Sequence, residues 1–413
     1  MIIPNKFNNL KELETWLNRV PQKTSRYVFK GAEGFEKSKR LLSLLGNPQD
    51  AVMPIHVAGT SGKGSVCILL SSMLLAHGKS VSTIMSPHVY SIKERYLFNG
   101  EQLKDEVFVD NFNSFIVKFN NVPERDEPSY FELLIAFGFY LNTILQPDFT
   151  VVETGVGGLL DTTNTISVPK ICIITSIGID HTAVLGRTIQ EIAMQKAGII
   201  KKNSLVISAN QERSVDRLLS GAIEKMNAKK ILTKRFSYEK LQNIQLNSKH
   251  QVENVDLAYT ALTLITKPDR RLISGALDMV YLPGRFEICK FKDNLVILDG
   301  SHNTQKIQAL KSAILQNFPT NRFTVFLAVT PGRDEIENAG LLKDISDNIQ
   351  FVDLGDYKSD MQLNMAPKLK GEKTISISQA IRLFNQLNGR NIIVTGSFYI
   401  LDYFKSVIEG NGS

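Results

Sequence analysis

Short apolar runs alternate with amphipathic stretches through most of this chain. The apolar runs predict buried strands, which in the first half of the chain cover residues 53–58, 81–85, 149–152, 171–175 and 205–208. After the first run, apolar residues recur at the spacing of one helix face: Val66, Leu69, Leu70, Met73 and Leu74. Strands that alternate with helices indicate an α/β fold with a doubly wound, mostly parallel sheet.

The N-terminal residues 8–46 have the apolar periodicity of helices. Gly31 and Gly34 interrupt this pattern and predict a loop facing the functional site. Ser129 and Glu132 have the spacing of a capping box, so another helix is predicted to begin directly after Ser129.

A second α/β pattern begins near residue 283. Leu282-Pro283-Gly284-Arg285 is typical of a turn and predicts a hinge between domains. Beyond it, strands are predicted at 295–298, 323–329 and 392–395, with a helix from Thr304. We therefore expect an N-terminal domain at 1–283 and a smaller, Rossmann-like C-terminal domain at 284–413.

The segment Gly59-Thr60-Ser61-Gly62-Lys63-Gly64-Ser65 joins the first predicted strand to its helix. Backbone N–H groups in such a turn, the helix N-terminus and a lysine can together bind nucleotide phosphates. The spacing differs from the common P-loop, which has four residues between its first glycine and the Gly-Lys pair. The structural alternative is an ordinary strand-to-helix turn with a solvated lysine.

Polar residues follow several predicted strands. Ser86-Pro87-His88, Glu153 and Asp180-His181 stand at such strand ends, and Asp161 with Asn164 lies on the loop after Glu153. Ligands bind at the carboxyl ends of strands in open α/β sheets, and we expect the strands ending at Glu153 and Asp180-His181 to be neighbours. The structural alternative is that Glu153 caps a turn and that His181 only supports the fold. In the second domain, Asp299-Gly300-Ser301-His302-Asn303 and Gly396-Ser397 predict another ligand-binding edge.

Composition narrows the function classes. The chain has 413 residues, 43% of them apolar, and a net charge of +7 that suits anionic substrates. Its basic residues are scattered rather than interleaved with aromatic residues, so nucleic acid is not the expected partner. We see no signal peptide and no apolar run long enough for a bilayer, and the three cysteines lack ligand-like spacing. A cytoplasmic protein without membrane partners is therefore expected.

Taken together, the motifs resemble the folylpolyglutamate synthase and dihydrofolate synthase family of the Mur ligase superfamily. The resemblance runs in order from about Leu41 to Phe404. Besides the segments above, it includes Glu153-Thr154-Gly155-Val156-Gly157-Gly158, Lys196-Ala197-Gly198-Ile199 and His250-Gln251-Val252-Glu253-Asn254.

The resemblance implies a role for each matching position. The ATP phosphates are expected at Ser61, Gly62, Lys63, Gly64 and Ser65, with further ATP contacts from Asn254, Arg285 and Asp299. Two Mg²⁺ ions are expected at Ser86, Glu153, His181 and a carbamylated Lys196. The pterin side is expected at Tyr130, Phe131, Leu160, Asp161 and Thr162. The incoming glutamate is expected near His302 and Ser397, and the catalytic residues would be Lys63, Lys196, His181 and His302.

The implied activity is ATP-dependent addition of L-glutamate to a folate or to dihydropteroate through an acyl phosphate, in a protein expected to be a monomer. Three positions depart from the family pattern: Leu159 replaces an arginine, Gln195 an acidic residue, and Met85 a threonine. Leu159 borders the pterin positions and leaves the acceptor open. The alternatives are a cell-wall amino-acid ligase of the same superfamily, a P-loop NTPase or kinase, and a non-catalytic nucleotide-binding module.

Overall fold

The computed structural model describes residues 4, 6–20, 31–51, 53–122, 127–237, 242–329, 335–355 and 373–410. They divide into two compact units, Met1–Lys240 with Glu253–Val280, and Leu241–Val252 with Tyr281–Ser413. The expected boundary at residue 283 assigned every earlier residue to the first domain, whereas Leu241–Val252 belongs to the second unit. The reason lies in side-chain contacts distant in sequence, described below.

The first unit is built on a twisted sheet that is mostly parallel. Its strands are β1 (Met53–Ala58), β2 (Val81–Ile84), β3 (Tyr96–Phe98), β4 (Glu101–Gln102), β5 (Phe149–Glu153), β6 (Ile171–Ile174), β7 (Leu205–Ser208) and β8 (Lys229–Ile231). Among the described residues, these eight strands lie in the order β4-β3-β2-β5-β1-β6-β7-β8. Only the pairs β2–β3 and β3–β4 are antiparallel in that order.

The helices of this part of the chain lie before residue 281, and the first residues of one of them, 249–252, belong to the second unit. They are α1 (Leu10–Leu17), α2 (Ala32–Leu44), α3 (Lys63–Ala76), α4 (Asp105–Asn120), α5 (Tyr130–Leu145), α6 (Thr182–Leu185), α7 (Ile189–Ala197), α8 (Arg213–Lys225), α9 (Lys249–Thr263) and α10 (Arg270–Met279). In α4, Phe108, Phe112, Phe115 and Phe119 recur at helical spacing and are fully buried. Both side chains of the predicted capping box, Ser129 and Glu132, cap α5 as expected.

Two expectations about positions near the site were wrong. Gly34 lies inside α2 rather than in a loop, because Leu41 and Leu42 further along supply a buried helix face that outweighs the cost of one glycine. The strands β5 and β6 are also not neighbours, since β1 pairs with both and separates them. Of the predicted N-terminal helical stretch, residues 21–30 lie outside the described part of the chain.

The second unit has a sheet of its own. Its strands are β9 (Glu287–Phe291), β10 (Asn294–Leu298), β11 (Phe323–Val329), β12 (Ser346–Asp353), β13 (Thr374–Ser376) and β14 (Asn391–Thr395). Within the described residues they lie in the order β13-β12-β11-β14-β10-β9, and β9–β10 is the antiparallel pair. The helices are α11 (Thr304–Asn317), α12 (Glu335–Leu342), α13 (Ile377–Gln386) and α14 (Phe398–Ile408). None of the helices in the described ranges combines the length and apolarity needed to cross a bilayer.

A buried ion pair fixes the start of this second sheet. Glu287 is 3% exposed, and its Oε1 accepts a 2.7 Å bond from Lys405 Nζ, while Oε2 accepts from the Gly284 N–H at 2.9 Å. Burial alone would lower the pKa of Lys405, but the hydrogen bond and charge of Glu287 outweigh it and raise that pKa. The pair therefore anchors the turn that carries Arg285 to α14.

Lys405→Met should lower the free energy of unfolding by about 2–3 kcal/mol, because it leaves the Glu287 carboxylate buried without its cation. Lys405 also pairs with Glu409, whose side chain is 51% exposed. The matched change Glu409→Gln should cost no more than about 0.5 kcal/mol. Urea unfolding of both variants checks this, and equal losses would contradict a buried anchor.

Candidate functional site

The glycine-rich turn after β1 ends at the N-terminus of α3. Lys63 is the first helical residue, so the helix begins within the segment that was predicted to join it to the strand. Gly62 has φ 91°, and a Cβ atom there would lie 2.3 Å from Oδ1 of Asn254, so this position requires glycine. The N–H groups of Lys63 and Gly64 have no acceptor within the helix, which makes this terminus suited to an anion.

The first part of the turn is held by the loop that follows β6. The N–H groups of Thr60 and Ser61 both donate to the carbonyl of Ser176, at 2.8 and 3.2 Å. The Thr60 hydroxyl donates to the Gly178 carbonyl at 3.0 Å. The N–H groups of Thr60 and Ser61 are thus bonded within the protein. The backbone donors that can bind a phosphate are those after Ser61. Within the described part of the chain, the buried Ser61 Oγ has no hydrogen-bond partner.

Glu153, the last residue of β5, contacts two other predicted site residues. Its side chain is buried, and Oε2 accepts a 3.1 Å bond from the backbone N–H of Ser86. Its Oε1 lies 3.9 Å from Nζ of Lys63. The alternative in which Glu153 only caps a turn does not account for the charged partner, so Glu153 and Lys63 form one electrostatic unit.

Lys196 reaches the same turn from α7. Its side chain is 3% exposed, and Nζ donates a 2.8 Å bond to the carbonyl of Gly59. The helix that positions it begins with a complete capping box of Thr188 and Glu191. Lys196 is therefore a buried group at the first residue of the P-loop and not a solvated lysine at a helix end.

His181 stands after β6 and directly before α6. It has φ 50°, in the left-handed region, and its N–H donates to Asp180 Oδ1 at 2.9 Å. We predicted that His181 lies near Glu153 because their strands were expected to be adjacent. That premise is wrong, because β1 lies between β5 and β6. The role of His181 as a metal ligand stays a prediction.

The first unit offers oxygen ligands of the kind that magnesium prefers. The Glu153 carboxylate and Ser86 are in direct contact through the Ser86 N–H, and Lys196 lies at the P-loop. Among the described residues, no group of three or more His, Cys, Asp and Glu side chains is arranged as a metal site. The predicted set contains one carboxylate and one imidazole, with a serine and a lysine, so its fit to Mg²⁺ depends on hydroxyl, phosphate and carbamate oxygens.

The predicted pterin positions differ in what their side chains do. Asp161 is buried, and its carboxylate accepts from the N–H groups of Val156 and Thr163 at 2.8 and 3.0 Å. Burial raises the pKa of Asp161, although these hydrogen bonds oppose the shift. The Thr162 hydroxyl lies 3.2 Å from Ser38 Oγ. Asp161 and Thr162 therefore shape this loop, and the half-buried Leu160 presents an apolar side chain from it.

Tyr130 and Phe131 begin α5 beside the loop that follows β2. Tyr130 is buried under the guanidinium of Arg95, whose carbon lies 5.6 Å from the ring centroid. Arg95 Nε donates to Nδ1 of His88 at 2.8 Å. Burial, helped by the Arg95 charge, lowers the pKa of His88 to about 3. Sequence reasoning singled out this loop but gave no role to Arg95, since nothing local indicates its stacking on Tyr130.

A buried polar chain links β1 to the Asp161 loop. His56 Nε2 lies 2.8 Å from the Thr163 hydroxyl, which donates to Asp161 Oδ1 at 2.6 Å. Burial and then the charge of Lys201 lower the pKa of His56 to about 3. Sequence reasoning missed His56 because it sits within an apolar strand. The structural role of His56 is therefore to orient the Thr163 hydroxyl as a neutral histidine.

In the second unit, the turn carrying Arg285 meets the end of β10. Asp299 accepts from the N–H groups of Phe286 at Oδ2 and Ser301 at Oδ1, at 2.8 and 2.9 Å. Gly300 must be glycine, because a Cβ atom would lie 2.3 Å from the ring of Phe398. The Arg285 guanidinium lies 5.3 Å from the centroid of the same ring. The Asp299 side chain therefore holds the backbone directly after Arg285.

Two further predicted residues lie at helix starts of this edge. Ser397 caps α14, with its hydroxyl accepting from the Tyr399 N–H at 3.2 Å. His302 precedes α11, and its Nδ1 lies 2.8 Å from the carbonyl of Gly300. The backbone of the two strand ends is joined by a 2.8 Å bond from the Gly396 N–H to the Ser301 carbonyl. His302 and Ser397 thus lie at the same edge of the second sheet.

Comparison with known proteins places these features in context. No family model matches the chain. A dihydrofolate synthase/folylpolyglutamate synthase of Bacillus subtilis is 27% identical, over 96% of this chain and 98% of its own length. A folylpolyglutamate synthase of Lacticaseibacillus casei is 26% identical, over 90% of this chain and 94% of its own.

Solved structures agree on the fold. A crystal structure of Mycobacterium tuberculosis folylpolyglutamate synthase with ADP aligns with a TM-score of 0.82, covering 97% of this chain and 98% of that one, at 23% identity. An FPGS–AMPPCP–folate complex aligns with a TM-score of 0.81, covering 97% and 99%, at 24% identity. These structures confirm the α/β fold, and the two relatives in sequence confirm the resemblance to the folylpolyglutamate synthase and dihydrofolate synthase family over most of the chain. The names of these relatives also agree with the predicted class of enzyme.

Proposed function

We propose, from this similarity along nearly the whole chain, that the protein is an ATP-dependent ligase that joins L-glutamate to a folate-type carboxylate. The observation that carries the proposal is the cluster at the P-loop, where Glu153 contacts both Lys63 and Ser86. Lys196 bonds to Gly59 of the same turn. A simple P-loop NTPase needs no Lys196 and no second polar edge at Asp299 to Asn303. The acceptor is a tetrahydrofolate, dihydropteroate or both.

The first step transfers the γ-phosphoryl group of ATP to the acceptor carboxylate, giving an acyl phosphate and ADP. The N-terminus of α3 binds the phosphates through the N–H groups that lack helical acceptors. Lys63 stabilises the charge that develops on the transferring group. Asn254 contributes from α9, where its amide packs on Gly62.

Two Mg²⁺ ions fit this proposal, held by Ser86, Glu153, His181 and a carbamylated Lys196. When bound, they neutralise phosphate charge and orient the reacting oxygens. Glu153 supplies the buried negative charge of the set, and the Ser86 N–H fixes the direction of its carboxylate. Its Oε1 lies 3.9 Å from Nζ of Lys63, so the same carboxylate also balances the charge of the P-loop cation.

The second step is attack by the amine of glutamate on the acyl phosphate, which forms the amide and releases phosphate. His302 and Ser397 bind the amino acid in this proposal, at the edge formed by β10 and β14. Arg285 and Asp299 contact the nucleotide, with Arg285 held over Phe398. The net charge of +7 favours the approach of these anionic substrates.

One assay tests the proposal. ATP turnover and amide formation are measured with glutamate and, in parallel, dihydropteroate, tetrahydrofolate or a cell-wall peptide precursor. Glutamate-dependent turnover with either pterin, and a product heavier by one glutamyl group, is the expected result. Turnover only with the cell-wall precursor, or ATP hydrolysis without an amide product, would replace the proposal with one of the alternatives.

Glu153→Gln should raise the Mg²⁺ concentration needed for half-maximal activity at least about 10-fold, because the amide keeps the shape but removes the charge. Glu101→Gln, at an exposed position of β4 in the same sheet, is the matched control and should leave the Mg²⁺ titration unchanged. An unaltered Mg²⁺ dependence in the Glu153 variant would assign this carboxylate a structural role.

A further inference from the structure

Lys306 lies one helical turn beyond His302, at the start of α11. Its Nζ is 2.9 Å from Nε2 of His302. The backbone of Lys306 is held on both sides, since its N–H donates to Asn303 Oδ1 at 2.9 Å and its carbonyl accepts from the Ser301 hydroxyl at 3.1 Å. The lysine is thus placed by the cap of α11 and by the β10 edge.

The contacts of His302 define its protonation. The Gly300 carbonyl can only accept, so the His302 Nδ1 that lies 2.8 Å away carries a proton. An ammonium can only donate, so Nε2 is the acceptor for Lys306. His302 is therefore the neutral Nδ1–H tautomer, with a cation fixed beside its other nitrogen.

The surroundings carry further positive charge. His302 packs edge-on against the ring of Phe398, with 6.2 Å between centroids, and Arg285 lies over that ring. The carboxylate of Asp299 at this edge already accepts two backbone N–H bonds, and the nearby carboxylate of Glu287 is paired with Lys405. A lysine and an arginine held at this edge suit a ligand that carries a carboxylate.

We propose that Lys306 is a specificity-determining residue of the amino-acid site, where its ammonium pairs with a carboxylate of the incoming acidic amino acid. The same side chain donates to Nε2 of His302 and so fixes the orientation of that imidazole. This inference rests on the proposed function, because that function makes glutamate the amine substrate. It adds a residue that the motifs do not include.

The test measures initial rates against glutamate concentration, at saturating ATP and acceptor, for Lys306→Met and Lys306→Arg. The methionine variant should raise KM for glutamate about 10- to 100-fold, since it loses a charge-assisted hydrogen bond. KM for ATP should change less than about twofold. The arginine variant, which keeps the charge, should recover most of the affinity. Lys311→Met removes a cation of the same helix that pairs with Asp344 and should behave as wild type.

Two outcomes would overturn the inference while the wild-type enzyme ligates glutamate. One is an unchanged KM for glutamate in Lys306→Met; the other is an equal rise of KM for glutamate and ATP, which indicates general disruption. If Lys306→Met does not fold, the same KM values are measured for Lys306→Gln and interpreted in the same way. A wild-type protein that forms no glutamyl amide refutes the proposed function itself, and this inference with it.

Discussion

Lys63→Ala should lower the rate of amide formation at least about 1,000-fold while the protein stays folded. The expected loss is that of a cation acting on a transferring phosphoryl group. Lys63 lies at the N-terminus of α3 with a side chain 16% exposed, and its Nζ is 3.9 Å from Glu153 Oε1. Removing it deletes the charge that pairs with the phosphates. The Glu153 carboxylate keeps its bond to the Ser86 N–H, so the turn retains an internal contact.

The measurement is coupled ATP turnover together with circular dichroism of the purified variant. Lys79→Ala is the matched control, because Lys79 follows the opposite end of α3 and its N–H bonds back to Leu74. That variant should keep full activity. Near-normal turnover in Lys63→Ala would refute the assignment of this turn as the phosphate site.

Local patterns predicted much of the structure. The apolar run 323–329 became β11 with the predicted bounds, and 205–208 became β7, because buried parallel strands read as short continuous apolar runs. The Ser129–Glu132 capping box formed as expected, since both partners lie within one helical turn. These features depend on residues near one another in the sequence.

The predictions that were wrong depend on contacts between residues distant in the sequence, which a local pattern does not encode. The order of strands in a sheet is set by crossover connections, so the separation of β5 and β6 by β1 was not visible in the runs themselves. Gln245 shows the same limit, because its side-chain amide donates to the carbonyls of Leu282 and Arg285 and ties its segment to the second unit. The pairing of Arg95 with Tyr130 is a third case.

Lys196 is expected to be carbamylated and to act as an anion, as the family resemblance implies. An ammonium near two Mg²⁺ ions would be repelled, whereas a carbamate would bind one of them. Addition of CO₂ to the neutral amine forms an N–C bond and releases one proton. The product keeps one N–H on Nζ, which can still donate to the Gly59 carbonyl now 2.8 Å away.

Lys196→Ala should therefore lose at least about 100-fold in rate, with partial rescue by formate or acetate that occupies the vacated space. Lys196→Arg separates the two charge states, because arginine keeps a cation and a donor but forms no carbamate. The arginine variant should be as inactive as the alanine variant. Lys202→Ala, at an exposed position six residues further on, is the control and should remain active.

Mass spectrometry of native protein in bicarbonate provides the direct measurement, with a mass increase of one carboxyl group localised to Lys196. Fully active protein that carries only unmodified Lys196 would refute the carbamate, and so would an active Lys196→Arg variant. Failure of rescue would not, since the small anion must also fit the space. The burial of Lys196 makes this test decisive, because a side chain that is 3% exposed is not an ordinary solvated lysine. If Lys196 is not an anion, it must act as the buried donor that fixes the first carbonyl of the P-loop.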